Sequence, residues 1–321
     1  MRAARFHAWG APPAVDDVPE PVREQGRVLV EVQAGAVAHL DATIAGGDFK
    51  MRPELPYIGG VEGAGVVLES DDDSGFEPGC QVMLRGGGLG MLRDGTWTER
   101  VSVSPKALTR LNTPLPPEVA ATFFVPATTA HVVLHDVARL EAGEEVIVVG
   151  AAGAVGSMVA QQAMAAGATV IGVVGREDQL ADVPDGAEAV ATTSPDAVTR
   201  LAEARSASLL VDTLGGEDLV GRTRWVSQGG RAVVIGYVAG TGVSIDLPSW
   251  LLDDVALLPV NMIRREHRAR EVAGELVEKL SAGELHVAVQ QFDLADAAAA
   301  LDELRAGRLR GRAVVTPHGL G

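Results

Sequence analysis

The chain has 321 residues, 47% of them apolar and 22% charged, values that suit a globular protein of about two domains with a sizeable core. Its 27 basic and 43 acidic residues leave a net charge of −16, which argues against nucleic acid and anionic membrane surfaces as partners. No apolar run approaches the ~18 residues of a membrane span, Met1-Arg2-Ala3-Ala4-Arg5 does not open a secretory signal, and Cys80 is the only cysteine, so a reducing, cytoplasmic setting is expected.

In chain order, residues 1–37 read as strands, with Val28, Val30 and Val32 alternating against Leu29 and Glu31. A short helix is expected over 40–45, stopped by Gly46-Gly47. The glycines of the stretch Pro56 to Val67 signal close backbone approach or bulges within a strand. With further strands at 80–85 and 96–103, the first third has the pattern of a small barrel-like β domain. Beyond Pro116-Pro117 a helical pattern covers 118–139, interrupted at Pro126. Strands at 145–149, 169–174, 187–191, 208–212 and 230–236 then alternate with helices at 155–166, 177–182, 195–204 and 217–226. Such βα alternation demands a parallel sheet with right-handed crossovers, which binds ligands at the carboxyl ends of its strands. Helices at 267–281 and 294–306 and a strand at 312–316 close the chain. Residues 46–58, 86–96 and 239–262 read as loops, the last two with glycine clusters suited to lids.

The chemistry centres on one turn. The β-branched stretch Val146-Ile147-Val148-Val149 runs into Gly150-Ala151-Ala152-Gly153-Ala154-Val155-Gly156 and then into a helical pattern. Strand, glycine turn and helix in that order form a dinucleotide site: the glycines let the helix start approach a pyrophosphate, which its free N–H groups and positive dipole end attract. The contacts would come from Gly150, Gly153, Ala154, Val155 and Gly156. The second strand of the unit ends in Val174, where NAD-binding proteins carry an acid for the ribose hydroxyls. Arg176 follows and can grip a 2′-phosphate with its planar fork, so NADPH is favoured, while Glu177 and Asp178 leave NADH open.

In the residues Gly60 to Val67, Gly95-Thr96-Trp97-Thr98-Glu99, Thr129-Ala130, Gly150 to Gly156 and Gly311-Arg312-Ala313-Val314-Val315, taken in this order, the chain resembles the medium-chain dehydrogenase/reductase superfamily, and most of all its zinc-free quinone oxidoreductase branch. The resemblance implies a Rossmann parallel-sheet domain (118–264) inserted into a GroES-like β-barrel catalytic domain (1–117 plus 265–321), with an active site in the cleft and a homodimer joined through the Rossmann domains. It also implies a nicotinamide contact from Thr129, a ribose contact from Gly236 and a pyrophosphate contact from Arg312, against which helix packing for Thr129 and an ordinary surface arginine for Arg312 stand as the simpler readings. The zinc ligands of the alcohol dehydrogenases fall on Ala38 and Val61 here, and one cysteine cannot build a structural zinc lobe, so no metal is expected.

Without a Lewis acid, a quinone or an α,β-unsaturated carbonyl is the fitting hydride acceptor, since its carbon is already activated. His39 is open to three roles: donor to the substrate oxygen, contact to cofactor phosphates, or local backbone cap. Tyr57 is a second candidate donor, with core packing the simpler reading, and His131 and His135 read as helix-face residues. The expected function is therefore an NADPH-dependent quinone or enone reductase of small molecules. The rivals are a non-catalytic NADPH-binding sensor or structural protein, and a zinc alcohol dehydrogenase.

Overall fold

The computed structural model describes residues 1–47 and 49–319. They divide into two compact units, one made of Met1–Phe124 with the stretch from Val287 onward and one of Val125–His286. The divisions thus fall at 124/125 and 286/287 instead of the expected 117/118 and 264/265.

In the first unit, β1 (Arg2–Phe6) pairs antiparallel with β2 (Ala14–Asp17). The long β3 (Val28–Val37) runs into α1 (His39–Gly46), which ends at Gly47 with φ +86. The valines of β3 alternate inward as read: Val28, Val30 and Val32 are fully buried. Then come β4 (Tyr57–Ile58), β5 (Glu62–Glu69), β6 (Gln81–Arg85), β7 (Arg100–Val103) and β8 (Leu108–Arg110). Trp97, fully buried, donates its Nε1–H to Ala36 O at 2.9 Å and fills the space that Gly59 leaves. A Cβ on Gly59 would lie 2.4 Å from the Trp97 ring, so the glycine-rich stretch is a packing requirement of this indole.

The expected helix over 118–139 is broken into α2 (Pro117–Ala120), α3 (Phe124–His131) and a π-helical segment, Val132–Ala138, closed by Arg139 at φ +53. Pro126 falls in the first turn of α3, where its missing N–H costs no helical bond.

The second unit is built on a six-stranded parallel sheet. Its strands are β9 (Glu145–Val149), β10 (Thr169–Val174), β11 (Glu188–Ala191), β12 (Ala207–Asp212), β13 (Val226–Val234) and β14 (Ala256–Pro259), in the order β11-β10-β9-β12-β13-β14. Residues 146–149 are all buried, as a strand covered on both faces requires. The helices are α4 (Ala154–Ala165), α5 (Pro195–Ala204), α6 (Leu219–Thr223), α7 (Leu247–Asp253) and α8 (Glu266–Ser281). Residues 177–182 form a 3-10 helix, and α6 is half the length expected. The stretch 239–262, expected as loop, contains α7 and β14. On α8 the buried Ala269, Val272, Ala273, Leu276 and Val277 make one apolar stripe, so the helix packs as part of this unit.

The chain returns to the first unit with β15 (Val289–Asp293), α9 (Ala297–Arg305) and β16 (Arg312–Thr316). The larger sheet there runs β15-β16-β3-β5-β6-β8, with β7 also on β3, and the smaller runs β2-β1-β4. Among the described residues, no helix is long and apolar enough to cross a membrane.

Candidate functional site

In the second unit, β9 lies mid-sheet between β10 and β12, and the chain turns at its carboxyl end. Gly150 adopts φ +79, and its N–H donates to Val173 O at 2.8 Å. A Cβ on Gly156 would stand 2.1 Å from Gly150 O, so only glycine lets the first turn of α4 sit this close. Gly153 is the N-cap and no side chain caps the helix, which leaves the first N–H groups, including those of Ala154 and Val155, for another acceptor. Those donors and the helix dipole suit a pyrophosphate.

At the end of β10, Val174 is buried and Arg176 exposed. The Arg176 guanidinium donates to Asp178, at 3.0 Å from Nε to Oδ1 and 3.5 Å from Nη2 to Oδ2. Both side chains are about half exposed or more, so the pair is screened by solvent. Thr129 is buried on α3. The strand expected over 230–236 stops at Val234, and Gly236 lies in the loop beyond it, where a Cβ would meet Thr213 O at 2.2 Å.

In the first unit, the positions that hold zinc in alcohol dehydrogenases are occupied otherwise. Ala38 caps α1, and the buried Asp41 spends one carboxylate oxygen on Ala38 N–H (2.8 Å) and the other on Val61 N–H (3.0 Å). Burial raises its pKa to about 7 despite these two bonds. Ala38 and Val61 offer no ligand atom, and among the described residues no three His, Cys, Asp or Glu side chains are grouped to hold a metal ion. The donor set therefore does not fit zinc.

His39 opens α1 and is exposed, yet its pKa is lowered, first by partial desolvation and then by the Arg312 charge. Arg312 donates from Nη2 to Glu62 Oε2 at 3.0 Å, and Arg85 donates from Nε to Glu62 Oε1 at 3.1 Å. The Arg85 guanidinium also lies 4.7 Å from the Phe124 ring centre. Arg312 is thus a partner of Glu62 within this unit, while its buried Nε finds no hydrogen-bond partner there. Tyr57, 2% exposed, stacks on Phe6 at 5.1 Å and lies 5.7 Å from the Trp9 ring. Burial and the Asp41 charge raise its pKa, so it stays a neutral core phenol. Rings of His131 and His135 lie 4.5 Å apart, with Arg268 3.5 Å from His131 Nε2.

Sequence reasoning missed the Arg85–Glu62–Arg312 cluster. The signal was an acid in a glycine-rich, otherwise apolar strand, which needs cationic partners once buried.

A parallel doubly-wound sheet with an uncapped glycine turn, joined in one chain to a largely antiparallel β unit, defines the class of two-domain dinucleotide oxidoreductases. Residues 24–113 match the alcohol dehydrogenase GroES-like domain family, and residues 186–315 match a family described as zinc-binding dehydrogenase. A rat quinone oxidoreductase is 30% identical over 251 residues, covering 74% of this chain and 73% of the relative. A human mitochondrial enoyl-[acyl-carrier-protein] reductase is 29% identical over 240 residues, covering 72% and 63%. The crystal structure of a Pseudomonas syringae quinone oxidoreductase superposes with a TM-score of 0.84 at 26% identity, covering 98% of this chain and 99% of that one. The chain belongs to the medium-chain dehydrogenase/reductase superfamily, in its quinone oxidoreductase-like branch.

Proposed function

We propose that the protein is a zinc-independent, NADPH-dependent reductase of quinones or α,β-unsaturated carbonyl compounds. The observation that carries this reading is the uncapped, glycine-built start of α4 beside a β10 that ends without an acid. NADPH, when bound, supplies a hydride. Gly150, Gly153, Ala154, Val155 and Gly156 hold its pyrophosphate, and the Arg176 fork exchanges Asp178 for the 2′-phosphate, a group that NADH lacks. Thr129 and Gly236 face the nicotinamide half. Arg312 keeps the Glu62 carboxylate neutralised.

Zinc independence is supported by Ala38 and Val61, which offer no ligand atom. An acceptor that needs no Lewis acid is the consequence, and the quinone and enoyl reductases among the relatives support that substrate class. His39, whose pKa is lowered by partial burial and then by the Arg312 charge, donates an N–H to the acceptor oxygen as negative charge develops there. Tyr57 is left to packing.

A homodimer is part of the proposal, supported by the exposed Leu247, Leu251, Leu252 and Ile263 of the second unit. A cytoplasmic setting is likewise proposed from the lone cysteine. The test couples a fluorescence titration of NADPH and NADH with NADPH oxidation over a panel of quinones and enones. Tight NADPH binding with turnover of an acceptor supports the reading. Tight binding with no turnover on any acceptor would leave a non-catalytic NADPH-binding protein.

A further inference from the structure

Asp212 ends β12 and is fully buried. Its Oδ1 accepts from Leu214 N–H and Gly215 N–H, both at 2.8 Å, and its Oδ2 accepts from Arg222 Nε at 2.7 Å. Arg222, 10% exposed, turns its Nη2 back to Gly215 O at 2.7 Å. The two side chains thus hold a single loop, 213–216, through four hydrogen bonds, three of them buried. A buried ion pair is rarely the cheapest way to stabilise a fold, so its geometry is the informative part.

The pinned loop touches the loops on either side of it. Thr213 donates its Oγ1–H to Val149 O at 2.8 Å, over the glycine turn, and a Cβ on Gly150 would lie 2.3 Å from that Oγ1. On the other side, Ala239 N–H donates to Leu214 O at 2.9 Å, and Gly236 is pressed against Thr213 O. The turns after β9, β12 and β13 therefore interlock at the carboxyl edge of the sheet, where such folds bind ligands.

We propose that Asp212 and Arg222 are positioning residues for the dinucleotide: from inside the second unit they fix the loop 213–216, which spaces the phosphate turn at Gly150 from the loop that carries Gly236. This rests on the dinucleotide reading above. Neither side chain touches the ligand. They set the distance between the two loops that grip its pyrophosphate and its nicotinamide ribose, so loosening them weakens cofactor binding and leaves acceptor recognition alone.

The double variant Asp212→Asn/Arg222→Met removes both charges without stranding either, and keeps an acceptor for Leu214 and Gly215. Its NADPH Kd, read by fluorescence, is expected to rise about tenfold, with the KM for the acceptor at saturating NADPH unchanged and the circular dichroism spectrum of the wild type. Thr213→Val cuts only the bond to Val149 O and is expected to raise the NADPH Kd in the same sense. If the double variant fails to fold, Thr213→Val decides. A folded variant that binds NADPH within twofold of wild type, or whose acceptor KM moves as much as its NADPH Kd, overturns the inference. Wild-type protein that binds neither NADPH nor NADH overturns the dinucleotide reading beneath it, and the two failures are told apart by that control.

Discussion

Adding one methyl group at Gly156 tests the glycine turn directly. A Cβ there would lie 2.1 Å from Gly150 O, with the Gly150 carbonyl carbon at 2.7 Å and Ala151 Cα at 3.0 Å. All three are backbone atoms, so no side-chain rotation relieves the clash, and the start of α4 must retreat from the turn by about 1 Å. Overpacking of this kind costs ~1–3 kcal/mol, which lowers Tm by about 3–10 °C in a domain of this size. The same retreat draws the uncapped N–H groups away from the pyrophosphate, so the NADPH Kd rises by roughly ten- to a hundredfold. Gly153→Ala is the control for stability alone, because Gly153 itself belongs to the pyrophosphate turn. Its Cβ would sit 3.1 Å from the same oxygen, and its backbone at φ −78 accepts any residue. Thermal melts on both variants, with an NADPH fluorescence titration on Gly156→Ala, make the measurement. A Gly156→Ala protein that melts and binds as wild type, or a Gly153→Ala protein destabilised equally, would refute the reasoning.

Glu62→Ala leaves Arg85 and Arg312 facing each other without their shared carboxylate and is expected to cost ~3 kcal/mol in urea unfolding. Asp41 has a folded pKa of about 7, above its ordinary value, so its contribution to stability is complete below pH ~4 and is lost as pH rises through about 7. Urea midpoints of the wild type should fall across that window, and those of Asp41→Asn should fall less. Glu144, held down to about 2 by the Arg231 fork, acts in the opposite sense: its contribution is present above its ordinary carboxylate value and disappears as pH drops toward 2, a loss absent in Arg231→Met. Arg176→Ala is expected to raise the KM for NADPH about tenfold and leave that for NADH within twofold; equal changes for both would remove Arg176 from the 2′-phosphate site.

The parallel sheet was legible because its strands are short β-branched runs bounded by glycine and polar turns. Residues 169–174 and 195–204 fall where the pattern placed them. The region 239–262 was not legible, since its glycines and acids hide a seven-residue α7 and a four-residue β14 that are too short to show a period. Length also misled at 118–139, where one helical pattern covers two α-helices and a π-helical segment. At the site, the glycines at 150–156 announce their own chemistry because their spacing is local. The partners of Glu62 lie 23 and 250 positions away, and only folding brings them to it. Asp212 and Arg222 are ten residues apart on different elements, so no helical or strand period links them.

The central claim, reduction by NADPH without zinc, is tested most directly by assaying chelator-stripped protein. With metal analysis confirming no zinc, NADPH should still be oxidised at the rate of untreated protein when a quinone or an enone is the acceptor. Activity that vanishes on stripping and returns only with added zinc, on simple ketones or alcohols, would contradict it.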